Sequence, residues 1–416
     1  MKSAKYKIEK KCRICSKKRL FNLINLGNQP LANRLNNKIT KKDLKIPLNL
    51  CICKDCKTVQ IKETVNPKIL FEKYFWQTST SVAARKFSKI FSKKILSYLK
   101  CKNPFVLEIA SNDGTFLVPF KEKGLEVLGV DPARNLASIS LKKKIPVIAG
   151  FFNKKIVKKI IKIRKKKADL IFARNVIAHV KNIHEIAESV HDILSDKGIF
   201  AVEFHYAKEI LDGLQYDSIY HEHLFYFNLQ TIKEFFFKKN LYLCHAFKSP
   251  ISGGAMVALF SKEGINLSSS AKKILHEEKI QKINSISEWK NFAKKTRLHK
   301  ILFINIIKKF LDNKHKIIAY GASARSSTFL NYCNINNEKI KYIVDKNPLK
   351  LNKYTPGTNM KVISFLQFKK KINKFNTLLL LAWNFKKEII EDLKDSKFCG
   401  IILTPFPKRV IIKKIK

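Results

Sequence analysis

Four of the nine cysteines form two C-x2-C pairs near the start of the chain, Cys12 with Cys15 and Cys53 with Cys56. Two such pairs supply four thiolates at the corners of a tetrahedron, which is the ligand set of a structural Zn²⁺ ion. Four protein ligands leave no position for a catalytic water, so the spacing predicts a structural zinc site. The alternative is a group of ordinary buried thiols. Cys51 could compete with Cys53 as a ligand, but Cys53 has the C-x2-C spacing to Cys56.

The densest cluster of titratable side chains lies at residues 217–227, with the sequence DSIYHEHLFYF. Histidine titrates near neutral pH and can act as a general base, while tyrosine and glutamate can stabilise an oxyanion or orient that base. The spacing favours a metal site less, because His221 and His223 are two residues apart and would point apart on a helix. The segment therefore predicts a catalytic centre, with a packed aromatic segment as a further alternative. His179 and His205 follow two predicted strands and could line the same pocket.

A strand–loop–helix unit precedes this cluster in the chain. Residues 105–110 are predicted to form a buried strand, residues 111–117 a loop that opens a helix, and residues 126–130 a second strand that ends at Asp131. This is the order of a mononucleotide-binding βαβ unit, in which the acid binds a ribose. The loop contains a single glycine, Gly114, so it matches neither G-x-G-x-x-G nor a P-loop. A cofactor without phosphate groups fits it better, and S-adenosylmethionine is such a cofactor.

Two more strands are predicted at residues 168–173 and 198–204, with a helix at about 183–195 between them. Regular alternation of strands and helices predicts a doubly wound sheet that binds ligands at the carboxyl ends of its strands. Polar residues lie at or near four of these ends: Glu108, Asp131, Asn175 and Glu203. Taken singly, each acid could be a helix cap or a surface charge. Together they predict a methyltransferase core.

A second α/β unit follows a Lys-rich amphipathic helix that is predicted over residues 270–315. A strand leads into a loop of small residues at 321–328, and a later strand at 340–344 ends at Asp345. Small residues, hydroxyl groups and Arg325 at a helix N-terminus suit an anionic ligand such as a diphosphate. The alternative is a tight packing turn between the strand and the helix.

The composition limits the class of protein. At 416 residues, 45% of them hydrophobic, the chain is long enough for two to four domains with their own cores. No apolar run approaches the about 20 residues of a membrane span, and no apolar core of a signal peptide follows the basic N-terminus. The odd number of cysteines argues against a disulfide framework. We therefore expect a cytoplasmic protein without membrane insertion.

The formal net charge of +51 comes from 83 Lys and Arg residues against 32 Asp and Glu residues. Ten of the basic residues are Arg, the preferred side chain for phosphates and base edges, and the rest are Lys. The Lys residues are spread along the whole chain, whereas a nucleic-acid-binding surface should cluster. The charge therefore predicts solvated surfaces and no specific nucleic-acid partner, although it could attract an anionic small substrate.

Taken in order, these segments resemble the sugar C-methyltransferases that act on nucleoside-diphosphate 4-keto-deoxysugars at C-3. The likeness covers nearly the whole chain, including residues 26–33 (LGNQPLAN), which read alone are predicted to be a loop. Besides the cysteine pairs, it is carried by EIASNDGTFL (108–117), GVDPARN (129–135), ARNVIAHV (173–180), IYHEHLFYF (219–227), ISGGAM (251–256), YGASARSSTFLN (320–331) and VDKNP (344–348). One departure is the stretch 82–86, where members of the family often have a histidine and this chain has none.

The resemblance implies a monomer of three domains. Residues 1–75 would hold the zinc ion, residues 76–245 would form the Rossmann-like domain that binds S-adenosylmethionine, and residues 246–416 would form a second Rossmann-like α/β domain that binds the nucleotide sugar. The predicted cofactor contacts are Glu108, Ala110, Asn112, Asp113, Gly114, Asp131 and Asn175. The predicted contacts to the nucleotide sugar are Tyr320, Ser323, Arg325, Ser326 and Asp345.

The resemblance also implies the chemistry. A carbon next to a ketone is acidic because its anion delocalises onto oxygen. His223 is the expected general base, Tyr220 would stabilise the enolate oxygen with Glu222 organising the site, and His179 would line the pocket. The resulting carbanion would then take the methyl group.

Three alternatives remain open at this point. The acceptor could be another small molecule that is methylated at O or N, which would not require an enolising base. The chain could be a basic, zinc-containing nucleic-acid-binding protein, or a homologue that has lost turnover.

Overall fold

The amino-terminal part of the chain, here called the head (residues 5–71), is antiparallel. The computed structural model describes residues 5–71, 74, 76–251, 253–264 and 266–415. The head contains β1 (Tyr6–Ile8), β2 (Leu20–Pro30), β3 (Lys45–Cys53), β4 (Val59–Ile61), β5 (Glu63–Val65) and α1 (Pro67–Phe71). Strands β2, β3 and β4 form an antiparallel sheet, and β1 pairs with β5.

The predicted loop at residues 26–33 is wrong over residues 26–30, because β2 continues to Pro30. Gly27 has a φ of +79°, and the register of β2 against β3 shifts between Asn25 and Asn28. A bulge therefore absorbs the turn-forming residues without ending the strand.

The central part of the chain (residues 76–261) is built on a mostly parallel sheet. Its strands are β6 (Val106–Ile109), β7 (Val127–Asp131), β8 (Val147–Ala149), β9 (Ala168–Arg174), β10 (Leu194–His205), β11 (Phe225–Tyr226), β12 (Tyr242–Ser249) and β13 (Ala255–Ser261). Its helices are α2 (Val82–Leu96), α3 (Val118–Lys121), α4 (Arg134–Lys142), α5 (Lys154–Arg164), α6 (Ile183–Ile193), α7 (Ala207–Asp212) and α8 (Leu229–Phe237). Seven strands follow the order β12-β13-β10-β9-β6-β7-β8, and β13 is antiparallel to both of its neighbours.

Short apolar strands and capped helices produce this alternation. Every residue of β6 and β7 is buried, as expected for a parallel sheet that is covered on both faces. Asn153, Asn182 and Asn228 each accept a backbone N–H at the start of a helix. The predicted doubly wound sheet is confirmed.

The predicted domain boundary between residues 245 and 246 falls inside β12. Strands β12 and β13 form one edge of the seven-stranded sheet. The end of β12 and the whole of β13, which sequence analysis assigns to the carboxyl-terminal domain, therefore belong to the central sheet.

The carboxyl-terminal part, here called the tail (residues 266–415), is a second α/β unit. It contains α9 (Ser269–Ile280), α10 (Ile286–Asp312), β14 (Ile317–Tyr320), α11 (Ala324–Tyr332), β15 (Tyr342–Val344), β16 (Lys361–Ile363), α12 (Phe365–Lys369), β17 (Thr377–Leu380), α13 (Lys386–Asp395), β18 (Gly400–Thr404) and β19 (Ile411–Ile415). The strand order is β16-β15-β14-β17-β18-β19, with β19 antiparallel. This order confirms the predicted second Rossmann-like fold.

The single helix predicted over residues 270–315 is wrong, because two helices occupy this stretch. Lys282, between α9 and α10, has a left-handed φ of 51°. Ser285 then caps α10 by accepting from the N–H of Glu288.

The head and the central part share a sheet. Strand β11 pairs with β4, so that Phe225 lies opposite Gln60 and Tyr226 opposite Val59. One hydrophobic cluster also extends through the head, the central sheet and the tail, and includes Leu50, Phe227 and Leu379. Among the residues that the structure describes, no helix combines the length and the apolar character needed to cross a bilayer.

Candidate active site and metal centre

The four predicted zinc ligands meet in the head. The Sγ atoms of Cys12, Cys15, Cys53 and Cys56 all lie within 4.8 Å of one another. The Sγ–Sγ distance is 3.5 Å from Cys12 to Cys56 and 3.5 Å from Cys15 to Cys53. Gln60 Nε2 lies 3.0 Å from Cys12 Sγ, where it can donate to a thiolate. Four converging sulfur atoms with a hydrogen-bonding neighbour fit Zn²⁺, as predicted.

Cys51 lies outside this cluster. Its buried Sγ donates to the backbone oxygen of Gln60 at 3.3 Å. Burial raises the pKa of the Cys51 thiol to about 12. The position of its sulfur outside the cluster leaves Cys53 as the ligand.

The loop after β6 turns sharply at the carboxyl edge of the central sheet. Ala110, Asn112 and Gly114 have φ values of 56°, 53° and 74°. Asp131, at the end of β7, accepts from the backbone N–H of Asn112 at 2.7 Å and from that of Ala133 at 2.8 Å. The turn brings backbone and small side chains to the sheet edge where a ligand can approach.

Asp113 is occupied by protein donors. Its carboxylate accepts from the N–H of Ser79 at 3.0 Å and from the hydroxyl of Thr115 at 2.6 Å. Lys143 Nζ lies 3.2 Å from the same carboxylate. We therefore interpret Asp113 as a residue that holds the loop against its neighbours rather than as a direct cofactor ligand.

Three acidic side chains lie buried at this edge of the sheet. Glu108, Asp131 and Glu203 are 3%, 5% and 0% exposed, and Arg174 Nε pairs with Glu203 at 2.5 Å. Burial raises the pKa of Glu108 well above its usual value and that of Asp131 to about 6. Among the residues placed by the structure, nothing hydrogen-bonds to the buried atoms Glu108 Oε2 and Asn175 Oδ1. Unpaired acceptors beside carboxylates fit S-adenosylmethionine, whose sulfonium and amino groups are positive.

The predicted base has a fixed tautomer. His223 Nδ1 lies 2.8 Å from the carbonyl oxygen of Ser218, which can only accept, so Nδ1 carries the proton. His223 Nε2 therefore accepts from the hydroxyl of Tyr220 at 2.7 Å. The rings of His179 and His205 lie 4.8 and 4.7 Å from the ring of His223. Burial and these two histidines hold the pKa of His223 well below its usual value, so the imidazole is neutral and basic at Nε2.

Glu222 lies in the same buried cluster. Its two carboxylate oxygens each lie 2.8 Å from Nδ2 of Asn33, which comes from the head. The phenol of Tyr74 also faces this carboxylate, and burial raises the pKa of Glu222 to about 7. Sequence analysis assigned roles to neither Asn33 nor Tyr74, although both lie in or beside segments that carry the resemblance.

His179 and His221 differ from each other in what they contact. His179 lies against the backbone of Asn175 and of Glu222, and burial lowers its pKa to about 4. It therefore connects the carboxyl edge of the central sheet with the cluster around His223. His221 Nε2 instead lies 3.0 Å from the backbone oxygen of Pro47, so it anchors the segment to the head.

The tail presents its small-residue loop to this cluster. Ser323 and Ser326 form a capping box at the start of α11. Arg325 lies over the ring of Trp383 at 5.1 Å, and its Nη1 is 3.8 Å from the carboxylate of Asp217. Arg325 is thereby positioned beside the catalytic segment, which begins at Asp217.

A narrow cleft lies between the head and the tail. It is lined by Ala32, Asn33, Leu35, Ala322, Ser323, Ser326, Ser327, Lys350, Thr355 and Pro356. Asp345 accepts from the N–H of Ala322 at 2.9 Å and lies 3.3 Å from Lys350 Nζ, so it supports the loop from behind. Tyr320 is buried against Phe365, with a ring distance of 6.2 Å. Ser323 and Ser326 thus reach the cleft, whereas Tyr320, Arg325 and Asp345 lie outside its lining.

Three family profiles match the chain in order. They are described as a zinc binding domain (residues 12–71), a methyltransferase domain (residues 82–246) and a C-methyltransferase C-terminal domain (residues 250–407). Together they span the head, the central sheet and the tail.

Among characterised relatives, the chain is 26% identical over 407 residues to C-methyltransferase NovU of Streptomyces niveus, which covers 96% of each protein. Among solved structures, the PH0226 protein of Pyrococcus horikoshii OT3 aligns with a TM-score of 0.36 and 15% identity over 47% of this chain and 98% of that chain. An S-adenosylmethionine-dependent methyltransferase from Clostridium acetobutylicum ATCC 824 aligns with a TM-score of 0.35 and 13% identity over 43% of this chain and 92% of that chain.

Proposed function

Since the chain belongs to the C-methyltransferases that use S-adenosylmethionine, we propose that it methylates a nucleoside-diphosphate 4-keto-deoxysugar, at C-3 of the sugar. The proposal rests first on His223. Its Nδ1 is tied to the carbonyl of Ser218 and its Nε2 is unprotonated, so it can accept a proton from carbon. An O- or N-methyltransferase would not need a base that removes a proton from carbon.

The chain's own residues account for the proton transfer in this proposal. His223 Nε2 accepts the proton from the carbon beside the ketone, and the electron pair of that bond moves onto the ketone oxygen. Tyr220, whose hydroxyl donates to Nε2 in the absence of substrate, turns to donate to the enolate oxygen. Such a donor is typically worth about 3–4 kcal/mol of barrier. S-adenosylmethionine, when bound, would supply the methyl group, and the electron pair of the broken C–S bond would stay on the sulfur of S-adenosylhomocysteine. His223 would then return its proton to water.

We propose that the cofactor lies along the edge formed by Glu108, Ala110, Asn112, Gly114 and Asn175. The buried acceptors of Glu108 and Asn175 would receive N–H groups, and the left-handed turn lets the ligand approach the backbone. Asp131 would exchange its bond to Asn112 N–H for the ribose hydroxyls.

We propose that the nucleotide sugar lies in the cleft between head and tail. Ser323, Ser326 and the N-terminus of α11 offer donors to a diphosphate, and Lys350 adds a positive charge at the same cleft. Arg325, held by Asp217 and Trp383, would face the part of the substrate nearest to His223. The enzyme would act as a cytoplasmic monomer, without nucleic acid as a partner.

The test combines purified protein, S-adenosylmethionine and a panel of dTDP-, GDP- and CDP-4-keto-deoxysugars in deuterated water. Mass spectrometry reads both the gain of a methyl group and the exchange of the α-proton. We expect one methyl per sugar from the wild-type protein, and loss of both methyl transfer and exchange in His223→Asn. The matched control is His276→Asn, an exposed histidine of α9, which should keep full activity. Undiminished turnover in His223→Asn would contradict the proposal and favour an O- or N-acceptor.

A further inference from the structure

A short turn of the head, at residues 31–34, lies against the proposed active site. After β2 ends at Pro30, Leu31 and Ala32 are buried and the chain turns, with the N–H of Arg34 donating to Leu31 O at 3.0 Å. Beyond the turn, Asn36 pairs with Tyr354 of the tail through two backbone bonds of 2.9 and 2.8 Å. The turn is thus fixed at one end by the head sheet and at the other by the tail.

Asn33 lies at the tip of this turn and contacts Glu222. Its Nδ2 is 2.8 Å from Oε1 and 2.8 Å from Oε2 of a carboxylate that is 2% exposed. A carboxylate removed from water depends on such donors, because an unpaired buried charge is costly. The neighbouring Ala32 packs against Tyr220 of the catalytic pair and against Ala324 of the tail.

We propose that Asn33 is a positioning residue of the methyl-transfer site: its amide orients the Glu222 carboxylate, so the zinc-binding head is part of the active site as well as a folding unit. This inference rests on the proposed function. Glu222 in turn faces the phenol of Tyr74, and the turn that carries Asn33 supports Tyr220 directly. Two neighbouring side chains of the head, Ala32 and Asn33, therefore contact Tyr220 and Glu222.

The charge state of Glu222 reports on this contact. The groups that face it are the Asn33 amide, the phenols of Tyr74 and Tyr220, and the His179 ring, which lies against its backbone. Arg325 of the tail and Asp217 also act on Tyr220 through their charges. The Asn33 amide favours the ionised form of Glu222 and burial opposes it.

The first measurement needs no substrate. The Glu222 carboxyl is titrated by ¹³C NMR in full-length protein labelled at Glu, with the signal assigned by Glu222→Gln. In Asn33→Ala we expect the titration to move to higher pH, because a donor to the charged form is lost. Asn33→Asp should move it further, because a second carboxyl repels the first. Asn28→Ala changes an exposed asparagine of the same segment and should leave the titration in place. An unmoved titration in both Asn33 variants would overturn the proposal.

The second measurement separates positioning from general destabilisation. Turnover is compared in wild type, Asn33→Ala, Glu222→Gln and the double variant. If Asn33 acts through Glu222, its replacement lowers kcat by about 10- to 100-fold in the wild type, and much less when Gln already occupies position 222. The same loss in both backgrounds would mean that Asn33 serves the fold alone. A wild-type protein that methylates no keto sugar would refute the proposed function, and the NMR titration would still decide whether Asn33 controls Glu222.

Discussion

Burial sets the chemistry of each ionisable side chain in the catalytic cluster. The pKa of His223 lies well below its usual value, so this base stays neutral throughout the ordinary assay range. Glu222 differs, because burial raises its pKa to about 7 despite the donors Asn33 and Tyr74. Of His223 and Glu222, Glu222 is therefore the one that titrates near neutral pH.

We expect kcat/KM to rise with pH through about 7, as Glu222 ionises and can orient the phenol and the amide that face it. The measurement is a pH–rate profile between pH 5.5 and 9. In Glu222→Gln this rise should disappear along with most of the activity. A rise that persists unchanged in the variant would assign the titration to another group.

The raised pKa of the Glu222 carboxyl also makes the stability of the protein depend on pH. Its pKa is raised on folding from 4.5 to about 7, so the folded protein binds the proton more tightly and the free energy of unfolding falls as pH rises between these values. The free energy of unfolding of Glu222→Gln, measured relative to that of the wild type, should therefore be higher at pH 8 than at pH 5. Urea denaturation at the two pH values measures the difference.

At the scale of the elements, the metal centre lies next to strand β4, which pairs with β11 beside the segment that contains His223. Cys56 lies three residues before β4, and β4 pairs with β11, which begins two residues after His223. Cys56→Ser should lose the zinc ion, lower Tm and reduce turnover more than S-adenosylmethionine affinity. Metal analysis, calorimetry and cofactor titration test this, with the exposed Cys101→Ser as the control. A metal-free variant with full turnover would contradict it.

The loop after β6 depends on one glycine. Gly114 has a φ of +74°, and a Cβ there would lie 2.6 Å from Ser140 Oγ. Alanine in the left-handed region costs about 1–2 kcal/mol, so Gly114→Ala should weaken S-adenosylmethionine binding severalfold. Gly264→Ala, where a Cβ meets nothing within 4 Å, should leave binding unchanged in the same titration.

Strands β6 and β7 could be predicted from the sequence because each is a short, fully buried run of mostly apolar residues. The break between α9 and α10 could not be predicted, because the residue with the left-handed φ is Lys282, and lysine does not mark such a turn. The continuation of β2 through LGNQP was also missed, since turn-forming residues can sit in a bulge.

The site was only partly predictable for a similar reason. Tyr220, His223 and Glu222 form one dense motif and stand out along the chain. Asn33 is 189 residues away from Glu222, and nothing in its local sequence marks it as a partner of a carboxylate. Such contacts depend on how the three parts pack, which a pattern of residues does not contain.

For the whole molecule, the net charge of +51 is spread over surface lysines, while the catalytic cluster is buried. We expect the KM for an anionic nucleotide sugar to rise with ionic strength, because salt screens the attraction. Affinity for S-adenosylmethionine, which we propose to bind beside buried acids, should not weaken in parallel. Kinetics between 20 and 500 mM salt compare the two, and a KM that is indifferent to salt would contradict this role of the charge.

The pairing of β11 with β4 has a consequence for how such enzymes can be recombined. A crossover placed between the head and the rest of the chain would join a foreign β4 to a native β11, and a foreign Asn33 turn to a native Glu222. The unit that must be exchanged as a whole is therefore discontinuous in sequence. It consists of residues 5–71 together with residues 218–228. Chimeras between relatives should retain activity when both pieces come from the same parent and lose it when they are mixed.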